Sequence, residues 1–289
     1  MRAIDCHVHV RTGDRAAGGQ QWRDAQRLFG AAEQVEDLAT YYRSRDMLAV
    51  VFDVDARTST GERADNDEIA ALAEASEGAL IPFATIDPWT GKAALDELER
   101  CRARGFRGLK LQPITQRFHV DDVRFRPLWD YCQSVGWPVL VHTGTTGIGA
   151  DSPGGGGLEL RFGRPIPHLD DVAAEFPRLQ IVAAHFGWPW HLELLAVARH
   201  KSNVHIDLSG WSPKYIPPEV VKYCNSVIPD RFLFGTDFPL LTPDRWLEEF
   251  DRLGLKDEVR EMVLVENARR ILGIEGAAGG GRRTDEGKG

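Results

Sequence analysis

The sequence predicts a single α/β domain of the (β/α)8 type. Three observations carry that prediction: eight short apolar runs, helical stretches between them, and a polar residue closing run after run. The chain has 289 residues, 43% of them apolar. One such barrel needs about 250 residues. The first run, Ala3–His9, reads as a strand that ends on two histidines one residue apart, His7 and His9. The run at 47–54 is Val- and Phe-rich and reads as the second strand, followed by an Ala- and Glu-rich helix at 67–76. Strand 80–86 precedes helix 92–104, where Leu and Glu recur at helical spacing. Strand 106–111 then leads to helix 126–134, strand 138–142 to helix 169–175, and strand 180–185 to helix 191–200. Strand 203–208 is followed by helix 219–227, and strand 231–237 by helices 244–253 and 257–272, with Gly273 as the closing cap. Apolar runs of this length suit parallel strands covered on both faces. The barrel is expected over residues 1–274, and the Gly-rich stretch 275–289 reads as a disordered tail.

Composition narrows the function. With 35 basic against 43 acidic residues the net charge is −8, and no Lys/Arg-rich face is evident, so nucleic acid is not an expected partner. No run approaches 18 apolar residues, so no membrane span is expected. The chain enters its first strand almost at once, which predicts no signal peptide and a cytoplasmic protein. Cys6, Cys101, Cys132 and Cys224 are widely spaced and read as reduced, buried thiols.

The polar residues that close the runs are the chemical evidence. His7 and His9 end the first strand, Lys110 lies near the end of the fourth, His142 ends the fifth, His185 the sixth and Asp237 the eighth. The C-terminal ends of barrel strands share one rim, so these groups should meet. Residues i and i+2 of a strand face the same side about 6–7 Å apart, which lets two imidazoles converge on one ion at about 2.1 Å each. Imidazoles with a carboxylate suit Zn²⁺, and also Mn²⁺ or Fe²⁺. Such a centre would bring the pKa of bound water toward about 7. By the same parity Asp5 should point into the barrel below His7, and Cys6 should face the helix layer. Lys110 reads as a buried amine tuned by its neighbours, a binder of a substrate carboxylate, or a carboxylated bridge between two metals. Long connections at 11–46 and 144–168 follow the first and fifth strands, where barrel sites are built. Trp188, Trp190, Trp211 and Tyr215 follow the sixth and seventh strands; they either stack on a planar substrate or pack against helices. Arg161, Arg164 and Lys214 are either anion binders or solvated loop charges.

In order, His7-Val8-His9, Val141-His142-Thr143-Gly144, Ala184-His185-Phe186-Gly187 and Gly235-Thr236-Asp237-Phe238-Pro239 resemble the landmarks of the amidohydrolase-related (amidohydrolase-2) family, whose fold is a TIM barrel and which includes aminocarboxymuconate semialdehyde decarboxylase. The resemblance spans residues 1 to about 274. It implies one divalent metal held by His7, His9, His142 and Asp237, with His185 the acid or base beside it, and it suggests a homodimer. A narrower likeness, carried by residues 144–167, Trp188-Pro189-Trp190, 200–203 and 207–215, is to 4-hydroxyphenyl-β-ketoacyl-CoA hydrolases. Leu111-Gln112-Pro113 and Phe186-Gly187-Trp188 depart from that subgroup.

The expected activity is therefore metal-dependent hydrolysis. Activated water would attack the carbonyl of an aromatic or β-keto small molecule and cut a carbon–carbon bond, with His185 and Asp237 catalytic. Lys110, Trp188, Trp211 and Arg161 are the expected substrate contacts. The alternative is a non-oxidative decarboxylase, or carboxy-lyase, acting on an aromatic or unsaturated acid at the same centre.

Overall fold

The computed structural model describes residues 1–13, 35 and 37–274; the tail expected at 275–289 and most of the connection after the first strand lie outside them. The strand segments are β1 (Ala3–His9), β2 (Met47–Phe52), β3 (Leu80–Pro82), β4 (Ala84–Thr85), β5 (Leu109–Leu111), β6 (Val139–His142), β7 (Ile181–Ala184), β8 (Val204–Asp207) and β9 (Phe232–Leu233). Each pairs in parallel with the next, except that β3 and β4 are two pieces of one barrel strand interrupted at Phe83. The Phe83 amide still donates to the Val51 carbonyl, so the ladder continues through the break. The barrel closes where Cys6 N–H donates to Phe234 O at 2.9 Å, Asp237 N–H to His7 O at 2.9 Å and His9 N–H to Phe238 O at 2.8 Å. A TIM barrel of eight strands results. The eighth apolar run is regular strand only at Phe232–Leu233; beyond it Phe234, Asp237 and Phe238 bond singly to β1.

Helices cover the outside. They include α1 (Leu38–Arg43), α2 (Asn66–Glu74), α3 (Lys92–Ala103), α4 (Arg126–Val135), α5 (His168–Glu175), α6 (His191–His200), α7 (Pro218–Lys222), α8 (Pro243–Phe250), α9 (Asp257–Glu261) and α10 (Asn267–Leu272). Local chemistry sets their ends. The Asp65 carboxylate accepts the Asp67 N–H at the start of α2, and Gly136 and Gly273 take left-handed backbone conformations just past α4 and α10. The expected helix at 257–272 is one continuous coil with a wider π-type turn at Met262–Glu266. No helix among the described residues is long and apolar enough to cross a membrane. Cys6, Cys101, Cys132 and Cys224 are free and buried.

Strand parity does not hold along β1. Asp5 pairs with Ala49, yet Val8 pairs with Val51, so three steps on β1 match two on β2. This is a β-bulge, and it corrects two expectations. Cys6 does not face the helix layer; it packs with Ile4, Val50, Phe83, Leu140, Val182 and Leu233 in the barrel interior. Asp5 does not point inward; its carboxylate accepts bonds from Tyr42 Oη of α1 at 2.8 Å and from Thr236 Oγ1 at 2.6 Å. It also accepts the backbone N–H of Thr236 and of His7. Asp5 thereby fastens the first strand to the last and to the helix outside. Burial pushes its carboxyl up to about 6, against those hydrogen bonds.

Candidate metal centre

The parallel strands deliver their ends to one rim, and the bulge leaves both His7 and His9 facing the mouth. Phe52, at the end of β2, meets the rings of His7 and His9 edge-on at 5.0 and 4.9 Å and sets their tilt. The two imidazoles lie 5.2 Å apart between ring centroids. Asp237 comes to them from the last strand: its Oδ1 is 3.2 Å from His9 Nε2 and 3.4 Å from His7 Nε2. Lys110, on β5, places its Nζ 3.1 Å from His7 Nε2 and 4.7 Å from the Phe52 ring centre. The His185 ring lies 4.7 Å from that of His7 and 4.7 Å from that of His142. Donor atoms of His7, His185 and Asp237 all fall within 4.8 Å of one another. The backbones of His185 and Asp237 have φ of 63° and 66°. A left-handed conformation is costly for residues other than glycine and recurs at functional sites.

Behind this cluster lies a carboxylate that strand-end reasoning passed over. Asp207 ends β8, and its Oδ2 is 2.6 Å from His7 Nδ1. Ser209 Oγ donates to Asp207 Oδ2 at 2.7 Å and sits 3.0 Å from His185 Nδ1. The proton assignment that satisfies every partner gives His7 an Nδ1–H donated to Asp207 and His185 an Nδ1–H donated to Ser209 Oγ. Both imidazoles then turn an Nε2 lone pair toward the mouth. A carboxylate that fixes the tautomer of a ligating histidine is the usual support of a metal site. The sequence signal was present, since Asp207-Leu208-Ser209 closes the seventh apolar run as His7-Val8-His9 closes the first. Space at this support is minimal: a Cβ on Gly210 would lie 2.3 Å from His185 Nδ1.

The electrostatics agree with a ligand set. Burial, then the neighbouring Lys110 and His185, hold His7 well below the ordinary imidazole range. Burial likewise keeps His142 low and brings His185 to about 4. For Asp237 burial works upward, but His9, His185 and Lys110 outweigh it and hold the carboxyl at about 2. Burial lowers the Lys110 amine to about 8, while Asp237 and Asp207 oppose the fall. Burial raises Asp207, against the two hydrogen bonds from Ser209. The mouth therefore combines neutral imidazoles with an ionised carboxylate, the protonation state that metal coordination requires.

Other expected site residues lie farther out. His142 is beside His185, but its Nε2 is 3.0 Å from the Thr145 carbonyl oxygen, which leaves Nδ1 as its free nitrogen. Trp188 and Trp211 pair at 5.2 Å between ring centroids, and Trp188 is 40% exposed. Arg161 is exposed, with its guanidinium on Glu159 at 2.7 Å and over the Phe162 ring. Arg164 is likewise engaged, by Glu193.

Comparison with known proteins follows the same lines. A family model described as amidohydrolase, of the amidohydrolase-2 group, matches residues 4–274. The γ-resorcylate decarboxylase of Rhizobium sp. (strain MTP-10005) is 22% identical over 254 residues, covering 74% of this chain and 76% of its own. An uncharacterised TIM-barrel protein from Bordetella bronchiseptica superposes with a TM-score of 0.73 at 24% identity, over 94% of this chain and 99% of its own. The dihydroxybenzoic acid decarboxylase of Polaromonas sp. JS666, solved with bound manganese and the inhibitor 2-nitroresorcinol, superposes with a TM-score of 0.65 at 17% identity, over 94% and 97%.

Proposed function

The chain belongs to the amidohydrolase family, and we propose that it is a metal-dependent carboxy-lyase that removes the carboxyl group of an aromatic acid without oxidation. The observation that carries this reading is the buried group of neutral imidazoles around the ionised Asp237, with Lys110 beside it. The named relatives above, both decarboxylases, move this reaction ahead of the hydrolysis that the sequence ranked first.

His7, His9 and Asp237 would hold a divalent ion, zinc or manganese, with His142 the fourth ligand that the family resemblance implies. When bound, the ion acts as a Lewis acid toward the oxygens of the substrate. The Lys110 ammonium attracts the substrate carboxylate into the mouth. The Trp188 and Trp211 rings offer an aromatic face at its edge. An arriving anion raises the proton affinity of the resting, neutral His185. His185 takes up a solvent proton at Nε2 and then transfers it to the ring carbon that bears the carboxylate. The carbon–carbon bond breaks, its electron pair restores the aromatic ring, and CO2 leaves; His185 is back in its neutral resting form. No water is consumed.

Turnover in D2O with a panel of hydroxybenzoic acids and of aromatic β-keto thioesters tests the reading. Decarboxylation places one deuterium on the ring carbon and releases CO2 from a hydroxybenzoic acid. Cleavage of the thioesters with ¹⁸O from labelled water entering a new carboxylate, and no CO2 release from any acid, would overturn it in favour of hydrolysis.

A further inference from the structure

Away from the mouth, the side chains of His119, Asp121 and His168 form a second group able to hold a metal. One donor atom from each lies within 4.8 Å of the other two, and all three residues are half-buried. His119 and Asp121 belong to the connection between β5 and α4, whereas His168 is the first residue of α5, at the end of the long connection after β6. His168 Nδ1 bonds Asp121 Oδ1 at 2.8 Å, and the His119 ring stacks on that of His168 with centroids 4.0 Å apart and planes 29° apart. On its other side the His119 ring meets Phe162 at 4.7 Å. His119 Nδ1 is buried with no hydrogen-bond partner. A buried ring nitrogen without a partner is costly, and a metal ion satisfies it where a second imidazole and a carboxylate are already gathered. Asp122 is not needed, because Arg124 occupies its carboxylate.

We propose that His119, Asp121 and His168 form a second divalent transition-metal site, separate from the one at the barrel mouth. Two imidazoles and one carboxylate with an open fourth position suit Zn²⁺, Co²⁺ or Ni²⁺. The ion would join two connections that are far apart in sequence. The 144–168 connection is already pinned at its other end, where Gly144 N–H donates to the Gly163 carbonyl at 2.7 Å. A metal at His168 would fix the segment between that bond and α5.

The test is a count of bound zinc on the full chain after stripping with chelator, by equilibrium dialysis and elemental analysis. Wild type should bind two equivalents. His119→Ala and Asp121→Asn should each lose one equivalent while keeping decarboxylase or hydrolase turnover, and a His7→Ala/His9→Ala double variant should lose the other. In that double variant Co²⁺ should still give a d–d absorption band, which adding His119→Ala abolishes. A single equivalent in wild type that the His7→Ala/His9→Ala variant removes, or a second one that survives both His119→Ala and Asp121→Asn, would overturn the proposal. The count is independent of the reaction at the barrel mouth, so failure of either reading leaves the other standing.

Discussion

Asp207→Asn isolates the role of the support behind the candidate metal centre. The carboxylate accepts from three donors: His7 Nδ1 at 2.6 Å, Ser209 Oγ at 2.7 Å and the Ser209 backbone N–H at 2.8 Å. An asparagine has one acceptor oxygen in place of two. If that oxygen takes the place of Oδ2, the amide NH2 faces the Ser209 N–H, donor against donor. If the amide is flipped, NH2 faces His7 Nδ1 and forces the tautomer with the proton on Nε2, which removes the lone pair that points into the mouth. Either outcome weakens the site without changing its volume. Losing such an outer partner commonly weakens metal binding by ~10–100-fold, which is about 1.4–2.7 kcal/mol. Competition for Zn²⁺ or Mn²⁺ against a chromophoric chelator at neutral pH measures it, and turnover should fall at least as far. A dissociation constant within about twofold of wild type would show that Asp207 does not set the His7 tautomer, and the assignment of Nε2 as a metal ligand would fall with it.

His185→Asn should lower turnover by ~10²–10⁴-fold, the usual worth of a positioned acid or base, while leaving the bound metal in place; loss of the metal instead would make His185 an inner ligand. Asp5→Ala leaves the Tyr42 hydroxyl, the Thr236 hydroxyl and amide and the His7 amide without their acceptor, and should cost about 3 kcal/mol or more in urea unfolding, given ~1–3 kcal/mol per stranded buried donor and partial rescue by water. Far from the mouth, His205 packs against Gln180, and burial together with Arg231 and Arg270 lowers it to about 3. The unfolded chain then binds the proton more tightly than the folded one, so this contribution is present above pH 6.5 and lost as the pH falls below it. His205→Gln should flatten the decline in urea midpoint between pH 7 and 5; an unchanged slope would assign that decline to other groups.

What the sequence determined by itself was the alternation of buried strands with helices and the positions of the strand ends, because both follow from the pattern of apolar residues. Ala3–His9 and His191–His200 coincide with their expected limits, and the polar residues His7, Lys110, His185 and Asp237 converge as a shared rim requires. Asp207 and Ser209 were legible in kind, as polar residues closing a strand, but their partners His7 and His185 are distant in sequence, and only the closed barrel sets His7 2.6 Å from the Asp207 carboxylate. The bulge in β1 was not legible at all. It adds one residue to a strand and leaves no mark in residue type, yet it exchanges the surroundings expected for Asp5 and Cys6. Side-chain alternation belongs to an unbroken pleat, and whether the pleat is broken is decided by the neighbouring strand that must pair with it.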